Sequence, residues 1–185
     1  MTIKKKEFKP AHGLNEIALV PSDLTLDLDM VDISTSIAGL NLGIPIFASA
    51  MDSVVNVETA SEMGQYGAIG ILNLEGVQTR YEDPTKVLTE IASVSKKDYV
   101  ELMQKIYQEN PVQDTLVLDR IKAIKASGSP TVVSSTPQQA TRLGPLAVEA
   151  GADAFLIQST VVSTKFQSNS TTPLDLKAFC KSMSI

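Results

Sequence analysis

Four short stretches carry side chains suited to gripping a polar ligand: 49–53, 73–76, 134–136 and 158–164. Three of them are rich in Ser, Thr, Asn or Gln. Hydroxyl and amide groups both donate and accept hydrogen bonds without adding charge, which suits a base or a sugar phosphate. Other reactive chemistry is sparse. His12 is the one histidine, and its neighbours make it a loop residue rather than a general base. No cluster has metal-ligand spacing. Cys180 is the one cysteine, so no internal disulfide can form, and a reducing cytoplasm fits. It falls in the stripe Leu176, Phe179, Cys180, Met183, which predicts a buried structural thiol.

Each of the four stretches follows an apolar run of strand length. The strands are expected at 44–50, 68–73, 131–135 and 154–159. Between them lie helical patterns. Residues 56–66 place Val57, Ala60 and Met63 on one face, with Asn56 as cap and Gly67 as the left-handed terminator. Thr136 and Gln139 predict a capping box, with Pro137 in the first turn. Gly144-Pro145 should kink or break that helix, and Gly151 should close it. Thr172, Pro173 and Asp175 mark a last helix start. Residues 74–130 exceed what one crossover helix requires. They hold three helix starts, at Asp83-Pro84, at Ser95 with Asp98, and at Asp114. The segment 1–43 alternates short apolar pieces with Pro, Ser and Asp, which reads as loop plus hairpin strands. The whole of 1–185 is read as a single domain, irregular to residue 43 and strand–helix from 44 onward.

Apolar strands without alternation, joined by helices, imply an α/β fold with a parallel sheet covered by helices. Ligands in such folds sit beyond the carboxyl ends of the strands, where the four polar stretches fall. The net charge of −5 argues against nucleic acid as a main partner. The basic cluster at 4–9 reads as a solvated tail, with no apolar signal region behind it. No run approaches the length of a membrane span.

Several stretches closely resemble the IMP dehydrogenase/GMP reductase family. They are "GLNEIALVPS" (13–22), "DMVDISTSI" (29–37), "IPIFASAMDSVVNVETASEMGQYGAIGILN" (44–73) and "EAGADAFLIQSTVVS" (149–163). "LNLEGVQTRYEDP" (72–84) is similar to the IMP-dehydrogenase-related bacterial branch, which lacks paired cystathionine-β-synthase-type regulatory domains. The resemblance is weak over 85–130. It implies an eight-stranded β/α (TIM) barrel, of which this chain covers about the first four units. It also implies hydride transfer between NAD or NADP and C2 of a purine nucleotide (IMP, XMP or GMP), within guanine nucleotide metabolism. By motif, Ser49 and Met51 touch the nucleotide, while Asp52 braces its loop by bonding backbone amides. Asn73 falls where IMP dehydrogenases often have a histidine near the cofactor. Gln158 replaces an aspartate that binds the nicotinamide riboside, and Ser159 and Thr160 match the two serines after it. The Asp-to-Gln change removes a charged acceptor and weakens the case for the dehydrogenase direction. The family's nucleophilic loop cysteine has no counterpart here, so no catalytic residue is assigned. Four strands of a barrel leave two edges and an inner face open. The chain is therefore expected to be inactive alone and to need a complementary C-terminal half. The alternatives are a non-catalytic remnant and a nucleotide-binding half-barrel that homodimerises.

Overall fold

Ile69–Asn73 and Val132–Ser135 are buried almost throughout, on both faces. That is the condition of interior parallel strands, which need apolar or small residues at every position. The computed structural model describes residues 9–159, 169 and 172–185. They divide into a unit ending at Asp32 and a second running from Ile33 to Ile185. The first holds two single 3-10 turns, Leu14–Glu16 and Leu28–Met30. In the former, Gly13 donates its N–H to Glu16 Oε2 at 2.8 Å.

The second unit opens with the hairpin β1 (Thr35–Ile37) and β2 (Leu40–Leu42). Its two-residue turn has both central residues at positive φ, Ala38 at 51° and Gly39 at 79°. That backbone matches the twist of the flanking strands. Four strands follow in one parallel sheet, in the order β3 (Phe47–Ala48), β4 (Ile69–Asn73), β5 (Val132–Ser135) and β6 (Ala154–Ile157). Phe47 pairs with Ile69. Farther along, Asn73, Ser134 and Leu156 share one row.

Strand β3 is shorter than the 44–50 expected. Pro45 has no N–H to give, and Ile46 donates to Ile44 O in a local turn instead of to a neighbouring strand. The helices are α1 (Val57–Gln65), α2 (Pro84–Ser93), α3 (Tyr99–Glu109), α4 (Asp114–Ala126), α5 (Pro137–Glu149) and α6 (Leu176–Ser182). Asn56 caps α1 by accepting from Thr59 N at 2.8 Å, and Gly67 takes φ 75° after it. Asp175 caps α6 from Ala178 N at 3.0 Å.

Two expectations fail locally, and a third is met at most in part. Of the kink or break expected at Gly144-Pro145, the break is absent, and α5 runs through both. Ala140, Leu143 and Ala147 are fully buried on its inner face, so packing on both sides of the proline outweighs one lost backbone bond. The predicted capping box at Thr136 does not form, because that residue's amide and hydroxyl are turned onto Glu75. Cys180 is exposed. Phe179 takes the inward position of α6, against Gly144 and the Phe155 ring, whose centroid is 5.7 Å away. A helix turns about 100° per residue, which carries Cys180 off that face.

The core has two parts, one on each side of the sheet. The outer part joins Leu72, Val117, Ile121, Ile124, Val133 and Leu143 between strands and helices. The inner part gathers Leu42, Ile69, Ile71 and Val132. Ile69 and Val132 open their strands, so the hairpin plugs the inner face at its amino end. The carboxyl end is left for polar residues.

Candidate functional site

Strand alternation decides which side chains reach the inner face at that end. Ile69, Ile71 and Asn73 share a face of β4, and Val132 and Ser134 share the corresponding face of β5. Asn73 and Ser134 therefore lie side by side, with Leu156 next in the row. Ser134 is fully buried, and its hydroxyl has no hydrogen-bond partner among the described residues. Gln158 follows β6, and its backbone N–H donates to Ser135 O at 2.9 Å. Ser159 is exposed beside it. Thr160 lies outside the described residues.

Ser49 and Met51 occupy the turn after β3, and both are exposed. The turn is tight: Met51 donates to Ser49 O at 2.7 Å, and Val54 and Val55 both donate to Met51 O at 2.9 Å. Buried Val55 anchors it from below. Met51 and Asn73 share one cavity of about 340 Å³, walled also by Asp52, Val77, Met103 and Tyr107. Of the sequence-predicted residues, Ser49, Met51 and Asn73 thus gather around the ends of β3 and β4. Gln158 and Ser159 stand two strands away from Asn73, roughly 10 Å at ordinary strand spacing.

Asp52 braces the loop, and it does so more widely than the sequence suggested. Its Oδ2 accepts from Val77 N at 2.7 Å and from the Tyr107 hydroxyl at 3.2 Å. Its Oδ1 is buried without a partner, pressed against Gly76. Burial raises the Asp52 carboxyl above its ordinary 3.8, and the Val77 amide, the Tyr107 hydroxyl and the Arg80 charge only partly oppose that rise. Burial, with the neighbouring Asp52 charge, pushes the Tyr107 phenol up to about 12, so it stays a donor across the ordinary pH range.

Arg80 fixes Tyr107 in turn. Its guanidinium lies 4.8 Å from the centre of the Tyr107 ring. It also donates to Tyr107 O at 3.0 Å, to Asn110 O at 2.7 Å and to Glu75 O at 3.1 Å. The carbonyls at the end of α3 lack partners within the helix, and a cation is well placed there. Glu75 bonds the Thr136 amide and, at 3.1 Å, its hydroxyl. Asn73 Oδ1 accepts from Glu75 N at 3.0 Å, a local turn that orients this carboxylate.

Sequence reading did not find Tyr107, Arg80 or Glu75. Tyr107 lies in the helix that Ser95 and Asp98 start, and its partner lies 55 residues away. Among the described residues, no three His, Cys, Asp or Glu side chains gather as a metal ion requires. None of their helices is long and apolar enough to cross a membrane.

A family model of the IMP dehydrogenase / GMP reductase domain matches residues 11–176. An uncharacterized oxidoreductase of Mycolicibacterium smegmatis is 29% identical over 179 residues, covering 94% of this chain and 48% of that protein. An inosine-5'-monophosphate dehydrogenase of Methanocaldococcus jannaschii is 31% identical over 109 residues, 54% of this chain and 22% of that one. Among solved structures, an IMP dehydrogenase/GMP reductase-like protein from Corynebacterium glutamicum superposes with a TM-score of 0.81 at 25% identity. That match covers 90% of this chain and 44% of the other. The chain thus spans about half the length of the curated oxidoreductases it matches.

Proposed function

The chain belongs to the IMP dehydrogenase/GMP reductase family, and we propose that it forms one wall of a purine-nucleotide oxidoreductase site. The observation that carries this reading is the cavity shared by Met51 and Asn73 where two adjacent parallel strands end, with Ser49 in the same turn as Met51. In the proposal, Met51 lies against the flat face of the purine, where a thioether adapts its shape to the ring. Ser49 offers a short hydroxyl to the nucleotide.

The donors and acceptors on the inner rim suit a nicotinamide cofactor. The buried, unpartnered Ser134 hydroxyl gives this rim hydrogen-bonding capacity to spare. Asn73, Gln158 and Ser159 would hold the cofactor's ribose and carboxamide, with Thr160 beyond them in sequence. When bound, the cofactor supplies the hydride acceptor or donor. A glutamine at 158 replaces charge-assisted bonds to ribose hydroxyls with neutral ones, which are roughly half as strong. The nucleophile of the reaction is not assigned to residues 1–185, because Cys180 sits exposed on helix α6 and not in a loop at a strand end. Phe47 and Leu156 stand 37% and 40% exposed on the inner face. Their exposure supports completion of the barrel, and of the site, by further strands.

The test is titration of the chain with IMP, followed by the ε-methyl NMR signals of methionine. Met51 is expected to shift on binding, while Met63, half-buried on α1, stays still. Ser49→Ala should weaken binding roughly three- to tenfold, as loss of one hydrogen bond does. Equal binding by Ser49→Ala, with Met51 unmoved, would remove the nucleotide from this wall.

A further inference from the structure

We propose that Tyr107, carried on α3 of the segment between β4 and β5, is a positioning residue for the Ser49–Asp52 loop. It acts on that loop through Asp52. The inference rests on the reading of that loop as the nucleotide wall, and it adds what controls the loop's position.

Asp52 immediately follows Met51, so any movement of its carboxylate is passed to the nucleotide-facing side chain. Groups from two elements converge on that carboxylate. The Val77 N–H comes from the loop after β4, and the Tyr107 hydroxyl comes from α3. The Gly76 backbone closes the third side, where a Cβ would lie 1.9 Å from Oδ1. Both donors meet the same oxygen, and the other oxygen has none. Tyr107 is therefore half of the hydrogen bonding that holds a buried carboxyl in place.

The tyrosine is itself fixed from both ends. Arg80 covers its ring and takes its carbonyl, while the Tyr81 hydroxyl donates to Ile106 O at 3.0 Å and accepts from Asn110 Nδ2 at 2.8 Å. These contacts tie the last turn of α3 to the 80–81 loop. The hydroxyl thus reaches Asp52 from a rigid base, as a second layer of support for a binding loop requires. The segment that supplies it, 85–130, is the part of the sequence with the weakest family resemblance. Its partners Asp52, Val77 and Arg80 lie instead in the stretches that carry that resemblance.

The decisive variant is Tyr107→Phe, which keeps the ring and the Arg80 contact and deletes only the oxygen. Three measurements on the 185-residue chain separate the possibilities. Amide exchange at Met51, Val54 and Val77 is expected to quicken roughly five- to tenfold, the usual effect of one lost hydrogen bond, while β4 and β5 amides are unchanged. The Asp52 carboxyl carbon, followed by NMR, is expected to titrate at higher pH than in the wild type. IMP affinity is expected to fall by a similar factor, and restoring the tyrosine recovers all three. Unchanged loop exchange and an unmoved Asp52 titration would overturn the proposal, as would exchange that quickens equally throughout the sheet. If the wild type binds no IMP while loop exchange and titration respond as stated, the positioning role stands and the nucleotide reading of the loop fails.

Discussion

Gly76→Ala is the sharpest perturbation of this site, because its effect is set by one measured clearance. A Cβ at residue 76 would lie 1.9 Å from Asp52 Oδ1, 2.3 Å from Oδ2 and 2.4 Å from Cγ. No real methyl group fits there, so the carboxylate must leave. The backbone itself is not the obstacle: Gly76 has φ −92° and ψ −163°, an extended conformation open to alanine. The cost therefore falls on the bonds that Asp52 makes. Val77 is 1% exposed, so its amide is left buried and unpaired. That costs about 1–3 kcal/mol, and the longer bond to Tyr107 adds roughly 1 kcal/mol. Reduced freedom of the unfolded chain offsets about 0.4–1 kcal/mol. The net expectation is a loss of about 1–3.5 kcal/mol, read from urea unfolding followed by circular dichroism. The control is the double variant. In an Asp52→Ala background the new methyl enters vacated space, so adding Gly76→Ala should cost less than about 0.5 kcal/mol. An equal cost in both backgrounds would show that the glycine acts on something other than Asp52, and the reasoning would be refuted.

Two further substitutions follow from the same kind of contact. At Gly64 a Cβ would lie 2.2 Å from Ser129 Oγ and 3.0 Å from its Cα, so Gly64→Ala should lower stability by about 1–3 kcal/mol and Ser129→Gly should recover much of it. Asp52 has its carboxyl raised above 3.8 in the fold. The unfolded chain therefore ionises first as pH rises, and this position's contribution is whole below about pH 3.8 and declines as pH passes the folded value. Asparagine does not titrate, so the stability difference between wild type and Asp52→Asn should move in favour of Asn from about pH 3.5 to about pH 7. Urea midpoints across that range check it; a difference flat with pH would contradict the burial argument.

The elements most legible in the sequence were those specified by local chemistry. Asn56 with Thr59, Asp83 with Lys86, and Asp175 with Ala178 are caps spanning three residues, and all three form. Gly67 and Gly151 take the left-handed conformations that their positions after α1 and α5 require. The failures arose where a distant group competed with a local one. Thr136 had the spacing of a capping box, yet Glu75 from the neighbouring strand end takes its amide and hydroxyl. Cys180 had the spacing of a buried face, yet only Phe179 of that helix finds a pocket, between Gly144 and Phe155. The candidate site divides along the same line. Strand patterns located the strand ends where Ser49, Met51 and Asn73 lie, while the resemblance singled those residues out there. Tyr107 and Arg80 could not, because partners 55 and 27 residues away leave no periodic trace.

The strand ends are fastened in series, and the order of fastening has a consequence for how the wall works. Asp52 joins the end of β3 to the loop after β4. Glu75, in that loop, joins it to Thr136 at the end of β5. Ser135 O then receives the amide of Gln158 after β6. Each link passes from one strand to the next, so side chains that would face a ligand are positioned by groups that would not. A ligand binding such a rim needs to order little of it, which removes part of the entropic cost of association. The weakest link is the first. Its carboxylate is buried with one oxygen unpaired, and its second donor comes from α3, not from the sheet. Change in the inserted helices is therefore expected to reach Met51 before it reaches Asn73 or Gln158. The position of Met51 would respond to sequence drift in 85–130, while Asn73 and Gln158, held strand to strand, would stay in place.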